Sequence, residues 1–189
     1  MHSDDSFGNQ GPPHETGFSL SRGAGLCYYS GMIKLKQVAP AFKLPDQKGK
    51  VHDLKEYKGK WVLLYFYPKD DTAGCTAEAC AVRDELPNFK KLKCVVFGVS
   101  PDTVESHAKF VEKYDLNFTI LADPEKKVLE KYEVWQEKSM YGRKYMGVVR
   151  TSFLINPEGK IEKIYEKVKP EIHAEEVLAD LKTLRKNEK

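Results

Sequence analysis

Cys75 and Cys80 stand five positions apart in the run Tyr65-Phe66-Tyr67-Pro68-Lys69-Asp70-Asp71-Thr72-Ala73-Gly74-Cys75-Thr76-Ala77-Glu78-Ala79-Cys80. An apolar strand that ends in a polar turn and then opens a helix puts Cys75 in the first turn of that helix. Unpaired N–H groups and the positive end of the helix dipole there favour a thiolate over a thiol. The thiolate is the nucleophilic form of cysteine, and Cys80 is near enough in sequence to trap an oxidised Cys75. Residues five apart on a helix differ by about 140° around the axis and roughly 7.5 Å along it. A disulfide needs α-carbons within about 7 Å and side chains that face one another. The two thiols therefore stay apart while the helix is intact, and a bond between them requires local unwinding.

The neighbours of Cys75 bear on the same chemistry. Thr72 can cap the helix, or hold a substrate oxygen, or do both. Pro68 terminates the strand, and its ring also shields a thiolate from water. Asp70 and Asp71 disfavour a nearby thiolate and are expected to point outward. Lys69, Arg83 and Arg150 are the available positive groups. Arg150 is the best placed, because it starts a strand expected beside Trp61–Tyr67, although a surface position is also compatible with its spacing. Its planar, permanently charged fork suits both a thiolate and a peroxide oxygen. Cys94, in Cys-Val-Val-Phe, reads as a buried strand residue. His107 and His173 show no metal-ligand spacing with the cysteines, so no metal site is expected.

Positioning these groups requires a core. At 189 residues, with 41% hydrophobic and 31% charged residues, the chain has material for one globular domain. A net charge of +3 is too small to argue for nucleic acid. No apolar run is long enough to span a bilayer. Four cysteines, Cys27, Cys75, Cys80 and Cys94, do not make a secreted disulfide framework in a chain of this size, and a reducing, cytoplasmic setting is expected. Residues 1–31 are rich in Gly, Ser, His and Asp and show no period; they read as a disordered extension or an artefact of expression or translation, with Cys27 incidental. The domain is expected to occupy residues 32–189, with an element beginning at Ile33–Lys36.

Ala41–Leu44 and Val51 flank a turn at Lys48-Gly49 and predict a hairpin. Trp61–Tyr67 reads as a central strand covered on both faces. A helix is expected over Thr72–Leu86, kinked or interrupted by Pro87. A buried strand at Cys94–Val99 follows. A helix capped by Asp102 or Thr103 then runs to Tyr114, with Val104, Ala108, Val111 and Tyr114 on one face. A strand at Phe118–Leu121 and a helix over Pro124–Tyr132 capped by Asp123 come next. Val148–Ile155 and Lys160–Glu166 form a hairpin about Asn156-Pro157-Glu158-Gly159. The final helix, Glu171–Lys186, presents Val177, Leu178, Leu181 and Leu184. This order implies an α/β fold, a central mixed sheet flanked by helices; by analogy it is thioredoxin-like, with N-terminal additions.

Pro68-x-x-x-Thr72-x-x-Cys75 resembles the active-site motif of the peroxiredoxins, and Cys80 resembles that of the bacterioferritin-comigratory protein (PrxQ) subgroup. The likeness extends to Tyr65–Lys69, to Val134-Trp135-x-Glu137-Lys138-Ser139-Met140-Tyr141-Gly142 and to Arg150–Ile155, and it runs from about Lys34 to the last helix. Ala73 departs from it, standing where many relatives have proline. The resemblance implies a thiol peroxidase in which Cys75 attacks a peroxide and Cys80 condenses with the sulfenic acid to an intramolecular disulfide. A thioredoxin-type donor would reduce that disulfide. It implies that Pro68, Thr72 and Arg150 line the peroxide pocket, that no cofactor is needed, and that the protein is a monomer. Two rivals remain. A general disulfide oxidoreductase would want Cys-x-x-Cys and a proline before the opposite strand, where this chain has Val148-Val149-Arg150. A redox sensor or holdase would bind partners once the helix unwinds.

Overall fold

The computed structural model describes residues 33–140 and 142–187. The stretch 1–31, with Cys27, lies outside the described residues. A short antiparallel hairpin, β1 (Lys43–Pro45) and β2 (Val51–Asp53), leads through a tight helical turn at Leu54–Tyr57 into β3 (Trp61–Phe66). Then come α1 (Ala73–Lys91), β4 (Cys94–Ser100), α2 (Val104–Tyr114), β5 (Thr119–Ala122) and α3 (Lys127–Lys131). A second hairpin, β6 (Trp135–Met140) and β7 (Arg143–Val148), precedes β8 (Thr151–Ile155), β9 (Ile161–Glu166) and α4 (His173–Asn187).

The main sheet has five strands in the order β5-β4-β3-β8-β9. β3, β4 and β5 run parallel, while β8 is antiparallel to both β3 and β9. The mixed sheet expected from the sequence is therefore present. β3 lies in its middle, as its unbroken apolar run requires, and every one of its residues is buried. Alternation divides those residues between two cores. Trp61, Leu63, Tyr65 and Tyr67 pack with Ala79, Val82, Leu86 and Phe89 of α1, Phe110 of α2, and Val177 and Leu181 of α4. Val62, Leu64 and Phe66 pack on the other face with Phe42, Leu129, Tyr132 and Phe153. Each such large apolar side chain contributes about 1.5–3 kcal/mol on burial, so the strand that leads to Cys75 is anchored on both of its faces. N-terminal additions are also present: residues 36–39 bond to Gly159 and Ile161 beside β9, and Asp46 bridges to Leu121 of β5.

Four expectations are corrected. Pro87 does not interrupt α1, which continues to Lys91. Proline removes the donor to the carbonyl four residues back. That carbonyl, on Arg83, accepts instead from Asn117 Nδ2 at 3.2 Å. The buried face of α2 is centred on His107 and Phe110, while Ala108 is exposed. α3 begins only at Lys127; Asp123 still serves its N-terminus, accepting from Val128 and Leu129 N at 2.9 and 2.8 Å. Ile33–Lys36 is a turn rather than a regular element, and the β6–β7 hairpin is an element that the sequence pattern did not suggest.

Candidate active site

β3 delivers the chain to a turn that begins at Tyr67. Thr72 is extended (φ −97°, ψ 148°) and its carbonyl accepts from Thr76 N at 2.8 Å, which starts α1. Cys75 is thus the third residue of the helix, where backbone N–H groups lack intrahelical partners. It is 2% exposed. Thr72 occupies the capping position, but its hydroxyl donates to Lys69 O at 3.2 Å and makes no cap. That hydroxyl is accessible for another partner.

Arg150 immediately precedes β8, whose Thr151 pairs with Phe66 at the end of β3. Antiparallel pairing therefore carries Arg150 to the turn that holds Cys75. Its Nη2 donates to Cys75 Sγ at 3.1 Å, and its Nη1 donates to Glu78 Oε2. Gly74 lies against this contact: a Cβ there would sit in ordinary contact with Arg150 Nη2 at 3.4 Å and with Pro170 Cγ at 3.6 Å. Glu78 lies three residues beyond Cys75 and so on the same helix face. It is fully buried, and burial pushes its carboxyl up to about 7 despite the opposing pull of Arg150. Burial alone would lower the Arg150 value, but the charges of Glu78 and Cys75 raise it. One guanidinium therefore serves two acidic groups, and among the described residues Glu78 Oε1 has no partner.

The layer beneath is polar. Tyr65 is buried, its hydroxyl without a partner among the described residues, and burial followed by the charges of Glu78 and Cys75 raises its ionisation well above the ordinary tyrosine value. Its ring occupies space left by Gly98, where a Cβ would meet Tyr65 Cζ at 2.8 Å. His173, at the start of α4, contacts Ser152 Oγ through Nε2 at 2.8 Å. Burial, then the Arg150 cation, pushes His173 down to about 4.

The structure brings Cys75 and Arg150 together as the sequence suggested. Pro68 and Thr72 lie in the same turn, half-buried and exposed. Cys80 is a partly buried free thiol farther along the intact helix. Lys69 is exposed, and Arg83 donates to Asp84 and to Tyr114 O rather than to Cys75. Cys94 is buried, and burial pushes its thiol up to about 12. Asp71 is exposed, as expected, but Asp70 is not: it is 6% exposed and bonded to Tyr67, Ser106 and His107. Three donors satisfy its charge internally, so it has no need of solvent. Glu78 was missed as a site residue: set between Ala77 and Ala79 it reads as a solvated charge on the helix, and its partner Arg150 lies 72 positions away. Among the described residues, no three His, Cys, Asp or Glu side chains are grouped to hold a metal ion, and no helix is long and apolar enough to cross a membrane. A nucleophile beside a fixed cation, at a helix N-terminus, can attack an electrophilic oxygen and stabilise the charge that develops on it.

Residues 35–164 match the AhpC/TSA family. The chain is 46% identical over 152 residues to Peroxiredoxin Bcp of Bacillus subtilis (strain 168), covering 80% of this chain and 97% of that protein. It is 45% identical over 150 residues to Peroxiredoxin Bcp of Escherichia coli (strain K12), covering 79% and 96%. Among solved structures it is similar to the bacterioferritin comigratory protein of Xanthomonas campestris, described for its alkyl peroxide reduction activity. The TM-score is 0.72 at 37% identity, over 75% of this chain and 90% of that one. A cysteine mutant of PrxQ from Xylella fastidiosa gives a TM-score of 0.78 at 32% identity, over 82% of this chain and 99% of that one.

Proposed function

Because the chain belongs to the AhpC/TSA family and is a peroxiredoxin-type thiol peroxidase of thioredoxin-like fold, we propose that Cys75 is its peroxidatic nucleophile and Cys80 its resolving thiol. The Cys75 thiolate attacks the distal peroxide oxygen. The O–O bond breaks, sulfur is oxidised to sulfenic acid, and the departing oxygen takes a proton and leaves as water or an alcohol. Cys80 then condenses with the sulfenic acid, forming the S–S bond and releasing the sulfenic oxygen as water. A thioredoxin-type dithiol returns both cysteines to thiols and is itself oxidised.

The observation that carries this reading is the 3.1 Å donor from Arg150 to Cys75 Sγ at the start of α1. Arg150 stabilises the thiolate and the developing oxyanion, Thr72 offers its hydroxyl to the peroxide, and Pro68 walls the pocket from water. The exposed Thr72 side of the turn gives hydrogen peroxide and organic hydroperoxides a way in. Alkyl peroxide reduction by the Xanthomonas relative supports the second class of substrate. Because both thiols belong to one helix, the cycle is complete in a monomer, and a cytoplasmic setting supplies the reductant. Peroxide consumption coupled to a thioredoxin system tests the assignment. Cys80→Ser should consume one equivalent of peroxide and stop; continued turnover at the wild-type rate would show that another thiol resolves Cys75.

A further inference from the structure

A buried ionic cluster lies upstream of Cys75, separate from the Arg150–Glu78 pair. The Asp70 carboxylate accepts from Tyr67 Oη at 2.7 Å, from Ser106 Oγ at 2.7 Å and from His107 Nδ1 at 2.8 Å. A carboxylate only accepts, so the ring nitrogen facing it carries the proton. The backbone N–H of Asp70 donates to Asp102 Oδ2 at 2.8 Å, and Asp102 is held in turn by Ser100 Oγ at 2.8 Å. One turn residue is thus fastened by its backbone to the β4–α2 connection and by its side chain to α2 itself. Asp71 follows with φ 56°, a left-handed conformation unfavourable for a residue with a Cβ. It is held there by Lys113 and Tyr114 of α2. His107 is fully buried, and among the described residues its Nε2 has no hydrogen-bond partner.

The two proposed steps make opposite demands on this region. Attack on peroxide needs Cys75 fixed in the first turn of α1. Disulfide formation needs that turn to open. A fastening just upstream of Cys75 favours the first state and opposes the second. We propose that Asp70 and His107 are a positioning pair that holds the 68–72 turn in the peroxide-reactive geometry and sets how readily the start of α1 unwinds. The proposal rests on the two-step reading above.

Single-turnover kinetics on the full chain separate the steps. Asp70→Asn and His107→Leu each remove part of a buried, charge-assisted bond. Each should slow sulfenic acid formation about tenfold while speeding its conversion to the disulfide. Amides of the 69–75 segment should exchange faster. His107→Asn keeps a donor near the Nδ1 position and should recover most of both rates, a rescue that loss of packing volume does not predict. If Asp70→Asn fails to fold, the His107→Leu and His107→Asn pair carries the test. Wild-type rates in His107→Leu, or equal slowing of both steps with no rescue by His107→Asn, would overturn the pair's role while leaving the peroxidase intact. A wild-type chain that forms no Cys75–Cys80 disulfide overturns the two-step reading, and the proposal with it.

Discussion

Cys75 and Cys94 are buried to nearly the same degree, 2% and 4% exposed, in the same core. Their surroundings differ in kind. Cys94 begins an interior strand, its Sγ donates to Val95 O at 3.6 Å, and its thiol is pushed up to about 12 by burial. Cys75 begins a helix and faces the Arg150 guanidinium at 3.1 Å. Burial alone raises a thiol's pKa, as at Cys94; at Cys75 the same burial comes with a fixed cation and the N-terminal donors of a helix. The chain thus holds two buried cysteines that differ in their neighbours rather than in their exposure.

The sharpest way to break the contrast is to remove one thiol. Cys75→Ser should abolish peroxide turnover, whereas Cys94→Ala should leave it near wild type and cost roughly 1 kcal/mol of stability, read by urea melts. Turnover surviving Cys75→Ser would invert the comparison. Arg150→Ala should come next, slowing peroxide oxidation of Cys75 by about tenfold to a hundredfold, since it deletes a charge-assisted donor and leaves Glu78 buried without its partner. Stopped-flow oxidation of the reduced enzyme measures this. An unchanged rate removes Arg150 from the site.

Glu78→Gln sharpens the comparison with a smaller effect. The Glu78 value is raised from 4.5 in the unfolded chain to about 7 in the folded one. Below the lower value both states hold the proton. Between the two, the unfolded chain ionises and the folded chain does not, so stability falls as pH climbs through this window. The glutamine variant should flatten that segment of the stability–pH curve. His173 works in the other direction. Its folded value is depressed from 6.5 to about 4, so its contribution is present above the upper value and lost as pH falls through the lower one. His173→Gln should blunt the acid-side loss in the same melts.

The parts of the fold that were legible are those whose burial is written in the apolar pattern. β3 and β4 are unbroken apolar runs, the β8–β9 hairpin has its Asn156–Gly159 turn, and α4 shows a single apolar face. The β6–β7 hairpin was not legible, because residues such as Lys138, Lys144 and Tyr145 leave no apolar alternation. Its one cue was Gly142, which takes φ 76° at the turn. Within the site, Cys75 and Arg150 could be read from spacing and strand order. Asp70, Glu78 and His107 could not, because a charged residue in sequence looks solvated until its partner is known. Two of the three Asp70 donors come from residues 36 and 37 positions away, and the Glu78 donor from 72 positions away. Reading the α2 face from apolar residues alone likewise hid His107, whose polar edge lies on the buried side.

The most direct test is to treat the reduced chain with one equivalent of peroxide and map its cysteines by peptide mass. The account predicts a rapid Cys75–Cys80 disulfide within one chain, with Cys94 still a free thiol. Cys75 left unreacted, or oxidation at Cys94 in its place, would contradict it.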